Sequence, residues 1–537
     1  MPAMKYRLFT RGHIRRAGEF SVAFFFALQI FVAGAALCAE KPRQVACPGC
    51  NVILVLVDAL RADALGAYGY PRGTSPNLDR LAATGNVFLN AWAQAPNTLP
   101  SHMSIFTGQY PWTHKVEAIL RDRLAPDAVT LPMALQLRGY RTVWRAPVNQ
   151  PHLGLAAGFE RGFDVFLNPI PRRKMWRDRD RLKEWEGAFD WLESNKDARF
   201  FMFLYSSNVH DPYTQTKAAL DRFPEAAVPS KAMSPQEAGA WITKNIATDP
   251  SLAPFKEELE ENIEIFGVSD FQEKRDKLRK LISMSPGAKG KDPGWLIFRI
   301  LYKLFADFPE DIAAFRAAYD AGVFEADALV GKLSEKLQTL GLADNTLLVI
   351  TSDHGEEFME HGGLRHSQIY VETLQVPLIV VLPGGGKGKR FGQLVQSIDI
   401  APTILDAVGF APLPAAQGLS LMPLISGLAF PNPAALAFAR WNGQYSVRDS
   451  RYTYLLRKKC AGGFSSWNAA CVQQEFYDRA ADSGELNDIF PANKEAAAGF
   501  AAHLSEKIKS TDKGPVFNWP LGVTEETRKR ILDTGYW

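Results

Sequence analysis

Two apolar runs of the chain end in carboxylates: NVILVLVD closes on Asp58 and TLLVITSD on Asp353, with His354 next. A carboxylate at the C-terminal end of a β-branched run lies where a parallel sheet presents its ligands. Two carboxylates and an imidazole at one sheet edge form a mixed oxygen and nitrogen donor set. Such a set suits Zn²⁺ or Mn²⁺ better than Ca²⁺ or Mg²⁺, which favour oxygen. Taken singly, each residue reads equally well as a helix cap or a hydrogen-bonded filler histidine.

The segment Ala95 to Pro111, APNTLPSHMSIFTGQYP, tips that balance, because here the chain resembles the sulfatase family of the alkaline phosphatase superfamily. Members carry a Cys-x-Pro-Ser-Arg block running into Thr-Gly-x-x-Pro. Thr98, Leu99, Pro100, Ser101 and His102, then Thr107, Gly108 and Pro111, follow that pattern. The likeness continues in the family's order through Asp58-Ala-Leu-Arg61-Ala-Asp63, Ser75-Pro-Asn-Leu-Asp79, His210-Asp-Pro-Tyr213, Ser352-Asp-His-Gly-Glu356, Val376-Pro377 and Asp399-Ile-Ala-Pro-Thr403. It implies a nucleophile at Thr98 and a divalent metal held by Asp58, Thr98, Asp353 and His354. It also implies a substrate-facing histidine about a dozen positions beyond the Asp-His pair, which selects His366 over His361. His210 is the second candidate for protonating a leaving group or binding its anion. His102, Lys115 and Asn149 are candidate substrate-binding donors. His114 matches a histidine often found after the Thr-Gly-x-x-Pro ending, with a loop-bracing role as plausible as a catalytic one.

This sequence departs from the sulfatase pattern at three positions. Sulfatases mature a cysteine or serine to formylglycine, whose geminal hydroxyl lets the sulfated intermediate collapse, and Thr98 offers no such precursor. Ala59 stands where a second metal-binding aspartate is usual, and His102 where arginine is usual. Threonine nucleophiles belong to the phosphotransferase and phosphodiesterase relatives. The leading expectation is therefore cleavage or transfer of a phosphoester or phosphodiester through a covalent Thr98 ester, with a metal stabilising the alkoxide. The alternatives are a sulfuric ester hydrolase and an inactive binding protein that kept the fold.

The elements that must position these residues read as strand and helix in alternation. Phe200 to Tyr205, Gly139 to Trp144 and Val376 to Leu382 add strands to the first two, and Ala326 to Leu340 looks helical. The class expected is α/β, a mostly parallel sheet flanked by helices, with residues 51–410 as the catalytic domain. A charged, helical-looking insertion is expected at about 214–315, able to roof the site. Residues 411–537 read as a smaller region whose RYTYLLR stretch suggests an antiparallel sheet. PGGGKGK, from Pro383 to Lys389, reads as a turn, since it lacks the spacing of a phosphate-binding loop.

Ahead of this lies a leader. Lys5, Arg7, Arg11, Arg15 and Arg16 precede a nearly uncharged stretch from Phe20 to Leu37, closed by Gly34, Ala35, Ala36 and Ala39. Residues 1–39 thus read as a signal peptide or a membrane anchor, and 40–50 as a linker. Export to the periplasm or another extracytoplasmic space follows. A local disulfide between Cys47 and Cys50 is expected, and Cys460 with Cys471 is a second candidate pair. The chain has 61 basic and 58 acidic side chains among 537 residues. That balance gives no electrostatic footprint for nucleic acid and leaves a small-molecule, glycan or envelope-lipid ester as the expected partner.

Overall fold

The computed structural model describes residues 46–509, apart from 118–121, 147–156, 168–182, 286–292, 431–436, 460–469 and positions 212, 214, 228 and 442. The leader, Asn149 and Cys460 lie outside the described residues. In chain order the strands are β1 (Asn51–Val57), β2 (Asn86–Trp92), β3 (Arg141–Arg145), β4 (Val165–Phe166), β5 (Phe200–Ser206), β6 (Thr346–Thr351), β7 (Glu357–Phe358), β8 (Leu364–Arg365), β9 (Leu378–Val381) and β10 (Lys389–Gln396). They are followed by β11 (Ala437–Trp441), β12 (Gln444–Arg448), β13 (Tyr452–Lys459) and β14 (Ala470–Asp478).

An eight-stranded sheet has the order β10-β2-β9-β6-β1-β5-β3-β4. β1 runs parallel to both neighbours, β5 and β6, while β9 is antiparallel to β2 and β6. The sheet is thus mostly parallel, as the sequence pattern implies. Each face of β1 enters a different core: Ile53, Val55 and Val57 on one side, Val52, Leu54 and Leu56 on the other. A strand covered on both faces has no polar alternation, and each buried aliphatic contributes about 1.5–3 kcal/mol. β2 and β10 escape the sequence reading for the converse reason. β2 carries Asn86 and Asn90, and β10 is an edge strand whose first half is polar and exposed.

Helices cover both faces. On one side lie Pro235–Thr248, Phe271–Met284, Pro293–Asp307 and the long helix Asp311–Thr339, which bring Ile242, Leu278, Leu304 and Phe315 into the first core. Ser234 and Asp270 cap two of them by accepting from the backbone N–H groups of Glu237 and Glu273. On the other side, helices Thr98–Thr107 and Ile400–Ala407 fill the second core with Leu99, Met103, Phe106 and Ile404.

The strands β11 to β14 form a separate four-stranded antiparallel sheet. Its alternation is legible in packing: Leu455 and Tyr477 face Trp92, Ile369 and Tyr370, whereas Tyr454 and Phe476 face Ala497 and Leu504 of helix Lys494–Lys509. Cys47 and Cys50 are disulfide-bonded. Among the described residues no helix is long and apolar enough to cross a membrane.

Candidate active site

Register places the site. Leu56 of β1 pairs with Tyr205 of β5 and Thr351 of β6, so the residues just past these strands share one edge. There, ligand atoms of Asp58, Asp353 and His354 lie within 4.8 Å of one another. Each residue has one polar atom held by the protein and another turned inward. Asp58 Oδ2 accepts from the Tyr205 hydroxyl, and its Oδ1 has no hydrogen-bond partner. Asp353 Oδ1 accepts from the backbone N–H groups of Ala59 and His354 at 3.3 and 3.0 Å, and its Oδ2 is left without a hydrogen bond. His354 donates Nδ1–H to the Gly355 carbonyl at 2.9 Å. Its Nε2 then faces Asp58 Oδ1 at 3.5 Å and Asp353 Oδ2 at 3.8 Å.

Burial, then the neighbouring Asp353, pushes the Asp58 carboxyl up. Burial acts the same way on Asp353, but His354 and His102 beside it prevail and hold it below the usual range. Two buried carboxylates side by side, with Asp58 Oδ1 unpartnered, form a costly arrangement that a cation relieves. The donor set therefore fits a divalent metal, with Asp58, Asp353 and His354 to hold it. Thr98 stands at the first turn of its helix, with Oγ 3.3 Å from His354 Nε2. The N–H groups of Thr98 and Leu99 and the positive dipole end of that turn favour negative charge on the Thr98 oxygen. The turn is fixed by Ser101, which donates to the Ala95 carbonyl at 2.7 Å.

Two further histidines join the cluster. His366 donates Nδ1–H to the Pro96 carbonyl at 3.0 Å, and its buried Nε2 has no hydrogen-bond partner. Its ring lies 4.2 Å from that of His354 and 5.5 Å from that of His210. Burial, reinforced by His354, His210 and Arg365, drives the His366 pKa well below its ordinary value, so the ring is neutral. His210 donates Nδ1–H to the Asp211 carbonyl at 2.6 Å. His354, His366 and His210 thus share one device, a backbone carbonyl that fixes the tautomer and leaves Nε2 for chemistry.

Other candidates sit differently. His361 pairs Nδ1 with Glu372 at 2.7 Å, donates Nε2–H to the Glu485 carbonyl at 2.7 Å and stacks on Tyr370, so both nitrogens are engaged in structure. His102 is fully buried among Phe159, Phe203 and Tyr205, with Nε2 3.3 Å from Asp353 Oδ2. It sits against the same Asp353 oxygen that faces His354 and, with no exposed surface, is not a contact for substrate. His114 accepts from the Val116 N–H at Nδ1 and meets Ser104 at Nε2, 3.1 Å each, and burial lowers its pKa to about 3. That is the loop-bracing role. Lys115 is exposed at the end of the short helix Pro111–His114, with a left-handed φ of 61°. Tyr205 and Tyr319 escaped the sequence reading: Tyr319 donates to the Ala59 carbonyl at 2.9 Å and accepts from Arg61 N–H at 2.8 Å, holding Ala59 in a left-handed turn of φ 59°.

A mostly parallel sheet with a carboxylate, imidazole and hydroxyl cluster at its edge suits the class of ester hydrolases that bind a divalent ion. Within that class the chain belongs to the sulfatase family: residues 50–410 match the family described as Sulfatase, and residues 359–514 match N-sulphoglucosamine sulphohydrolase, C-terminal. Arylsulfatase K of Mus musculus is 26% identical over 84% of this chain and 78% of its own length. An N-acetylglucosamine-6-O-sulfatase of Bacteroides thetaiotaomicron is 25% identical, over 86% of each chain. The phosphonate monoester hydrolase of Agrobacterium radiobacter shares the fold with a TM-score of 0.60 and 22% identity, covering 88% of this chain and all of that one.

Proposed function

We propose that this protein is an exported hydrolase of sulfate esters carried by a sugar or another small molecule, with Thr98 as its nucleophile. The observation that carries the reading is Thr98 Oγ, 3.3 Å from His354 Nε2 at the edge where Asp58 and Asp353 converge. The sulfatase relatives support sulfate over the phosphoester expected from the nucleophile alone. A divalent ion, with Zn²⁺ or Mn²⁺ suited to the mixed donors, supplies positive charge against the Thr98 alkoxide and the ester oxygens when bound.

The chain's own residues account for the remaining steps. The Thr98 hydroxyl gives up its proton to a neutral imidazole of the cluster, and its oxygen attacks sulfur as the S–O bond to the leaving alcohol breaks. His366 or His210 returns a proton to that alcohol from Nε2. Water then attacks sulfur of the Thr98 ester and restores the hydroxyl. A second reading, hydrolysis or transfer of a phosphoester, is favoured by Thr98 itself. A threonine ester lacks the geminal hydroxyl that expels sulfate from formylglycine, whereas direct attack on a phosphoryl-threonine meets no such difficulty. The leader from Lys5 to Ala39 is the basis for placing the work outside the cytoplasm, with an anchored form as its variant.

The test is turnover of paired aryl sulfate, phosphate monoester, phosphodiester and phosphonate monoester substrates with Zn²⁺ or Mn²⁺, beside Thr98→Ala. Sulfate turnover that falls at least about a thousandfold in the variant supports the first reading. Phosphoryl turnover with the same dependence moves the assignment to the second, and sulfate turnover that survives the substitution removes Thr98 as nucleophile.

A further inference from the structure

Three aromatic side chains meet where the catalytic part joins the C-terminal sheet. Tyr110 and Trp112 follow helix Thr98–Thr107, and Phe438 comes from β11. Their rings form a cup: Tyr110 stacks on Trp112 at 4.7 Å, and Phe438 stands nearly perpendicular to both, 5.9 and 6.1 Å away. One amide oxygen ties two sides of the cup together. Gln396 Oε1 accepts from the Tyr110 hydroxyl at 2.9 Å and from the Phe438 backbone N–H at 3.4 Å. Trp112 is 1% exposed, yet its Nε1 has no hydrogen-bond partner. A buried indole usually directs that N–H at an acceptor, so what this one offers is its ring.

An ammonium sits in the cup. Lys507, in the last turn of helix Lys494–Lys509, places Nζ 4.7 Å from the Tyr110 ring centre, 5.6 Å from Phe438 and 5.7 Å from Trp112. Each distance lies within the roughly 6 Å over which a ring face attracts a cation. The occupant nevertheless matches its surroundings poorly. A primary ammonium is strongly hydrated, and burial lowers the Lys507 pKa, favouring loss of the charge that the rings attract. A quaternary ammonium keeps its charge at every pH, and its methyl groups pack on the rings. The end of a helix also frays readily, so withdrawing Lys507 disturbs little else.

We propose that Tyr110, Trp112 and Phe438 form a binding site for a small quaternary ammonium compound, which Lys507 closes as a tethered stand-in and vacates when such a ligand arrives. The whole of helix Thr98–Thr107, about 15 Å long, separates Thr98 from the chain that carries Tyr110, so this is a second site, apart from the reacting centre. Its occupation releases the last turn of the C-terminal helix. The inference does not depend on which ester is cleaved, and its test reads binding alone.

Calorimetry on the purified protein and on Lys507→Ala compares tetramethylammonium, choline and the neutral isostere of choline in which carbon replaces nitrogen. Both cations are expected to bind Lys507→Ala at least about tenfold tighter than the parent, and at least about tenfold tighter than the isostere binds it. Adding Phe438→Leu to Lys507→Ala keeps an apolar side chain at a half-buried position and removes one ring, and choline affinity should then fall by about tenfold. Tetramethylammonium affinity should fall in parallel, while the isostere changes by less than about threefold. Thermal melts establish that each variant is folded. Equal affinity of choline and isostere, equal affinity of parent and Lys507→Ala, failure of Lys507→Ala to bind either cation, or indifference to Phe438→Leu overturns the proposal.

Discussion

Tyr205 shows how much of a candidate metal site can rest on a residue that is not among its ligands. Its hydroxyl ties one oxygen of Asp58 and leaves the other facing His354. Removing that hydroxyl frees the carboxylate to rotate, so Tyr205→Phe should weaken metal affinity by roughly 10–100-fold, a typical effect of losing such a supporting bond. Metal titration of the purified protein checks this, and unchanged affinity would show that the hydrogen bond does not set the ligand. Asp58, Asp353 and His354 were legible in the sequence because they stand within three residues of the end of an apolar strand. Tyr205 was not legible, since a tyrosine closing FFMFLY looks like one more core aromatic. His361 and His366 stood on equal terms by spacing alone. The family resemblance selected the second, and the structure gives the physical difference: both nitrogens of His361 are engaged, and Nε2 of His366 is not.

At the scale of elements, the short hairpin of β7 and β8 carries Arg365 and leads directly into His366. Glu357 holds its return: one oxygen accepts from the backbone N–H groups of Ser367 and Gln368 at 2.9 and 2.7 Å. At Gly363 an added Cβ would sit 1.8 Å from the other Glu357 oxygen, so a side chain there would displace that carboxylate. Burial, then the nearby Glu372, raises the Glu357 pKa to about 8. A carboxyl whose folded pKa exceeds its unfolded value of 4.5 stabilises the fold fully below that value, and this contribution is lost as pH rises through about 8. Denaturant melts between pH 5 and 9 should show that loss in the parent, and Glu357→Gln, which keeps an acceptor for both N–H groups, should flatten it by about one proton's worth of slope. Equal slopes would mean that Glu357 does not titrate in this window. The large strands β1, β5 and β6 could be read from the chain because burial on both faces leaves uninterrupted apolar runs. This hairpin could not: two residues per strand carry no period, and its shape comes from a buried carboxylate and a glycine.

On the scale of the whole molecule, the C-terminal sheet is fastened to the catalytic part by buried charge. Glu485, itself at a left-handed φ of 57°, accepts from Val371 N–H at 2.9 Å and from Thr453 at 2.5 Å, and pairs with Arg448 at 3.3 Å. Arg448 and Glu485 are both nearly inaccessible, so breaking the pair strands a guanidinium in the interior. Glu485→Ala should therefore lower unfolding stability by about 3–5 kcal/mol. Reversible chemical denaturation is the check, and a loss below about 1 kcal/mol would show that the junction is held by apolar packing alone. The antiparallel sheet itself was foreseeable from the alternation in RYTYLLR. Its fastening was not, because nothing in the segment from Tyr477 to Asp488 marks Glu485 as the buried partner of Arg448 in β12 and Thr453 in β13.

The link from the His361 ring to the carbonyl of Glu485, across 124 positions of chain, also has a meaning in time. Ala59 likewise waits for Asp353, 294 positions later, to receive its N–H. A chain that emerges from its N-terminus onward makes β1 early, yet the loop that carries His361 gains its last link only when residues near 485 arrive. The reacting centre is therefore among the last features to mature. A partly made chain would hold Thr98 in a loose, inert setting, and the centre would close only once nearly all of the chain is in place.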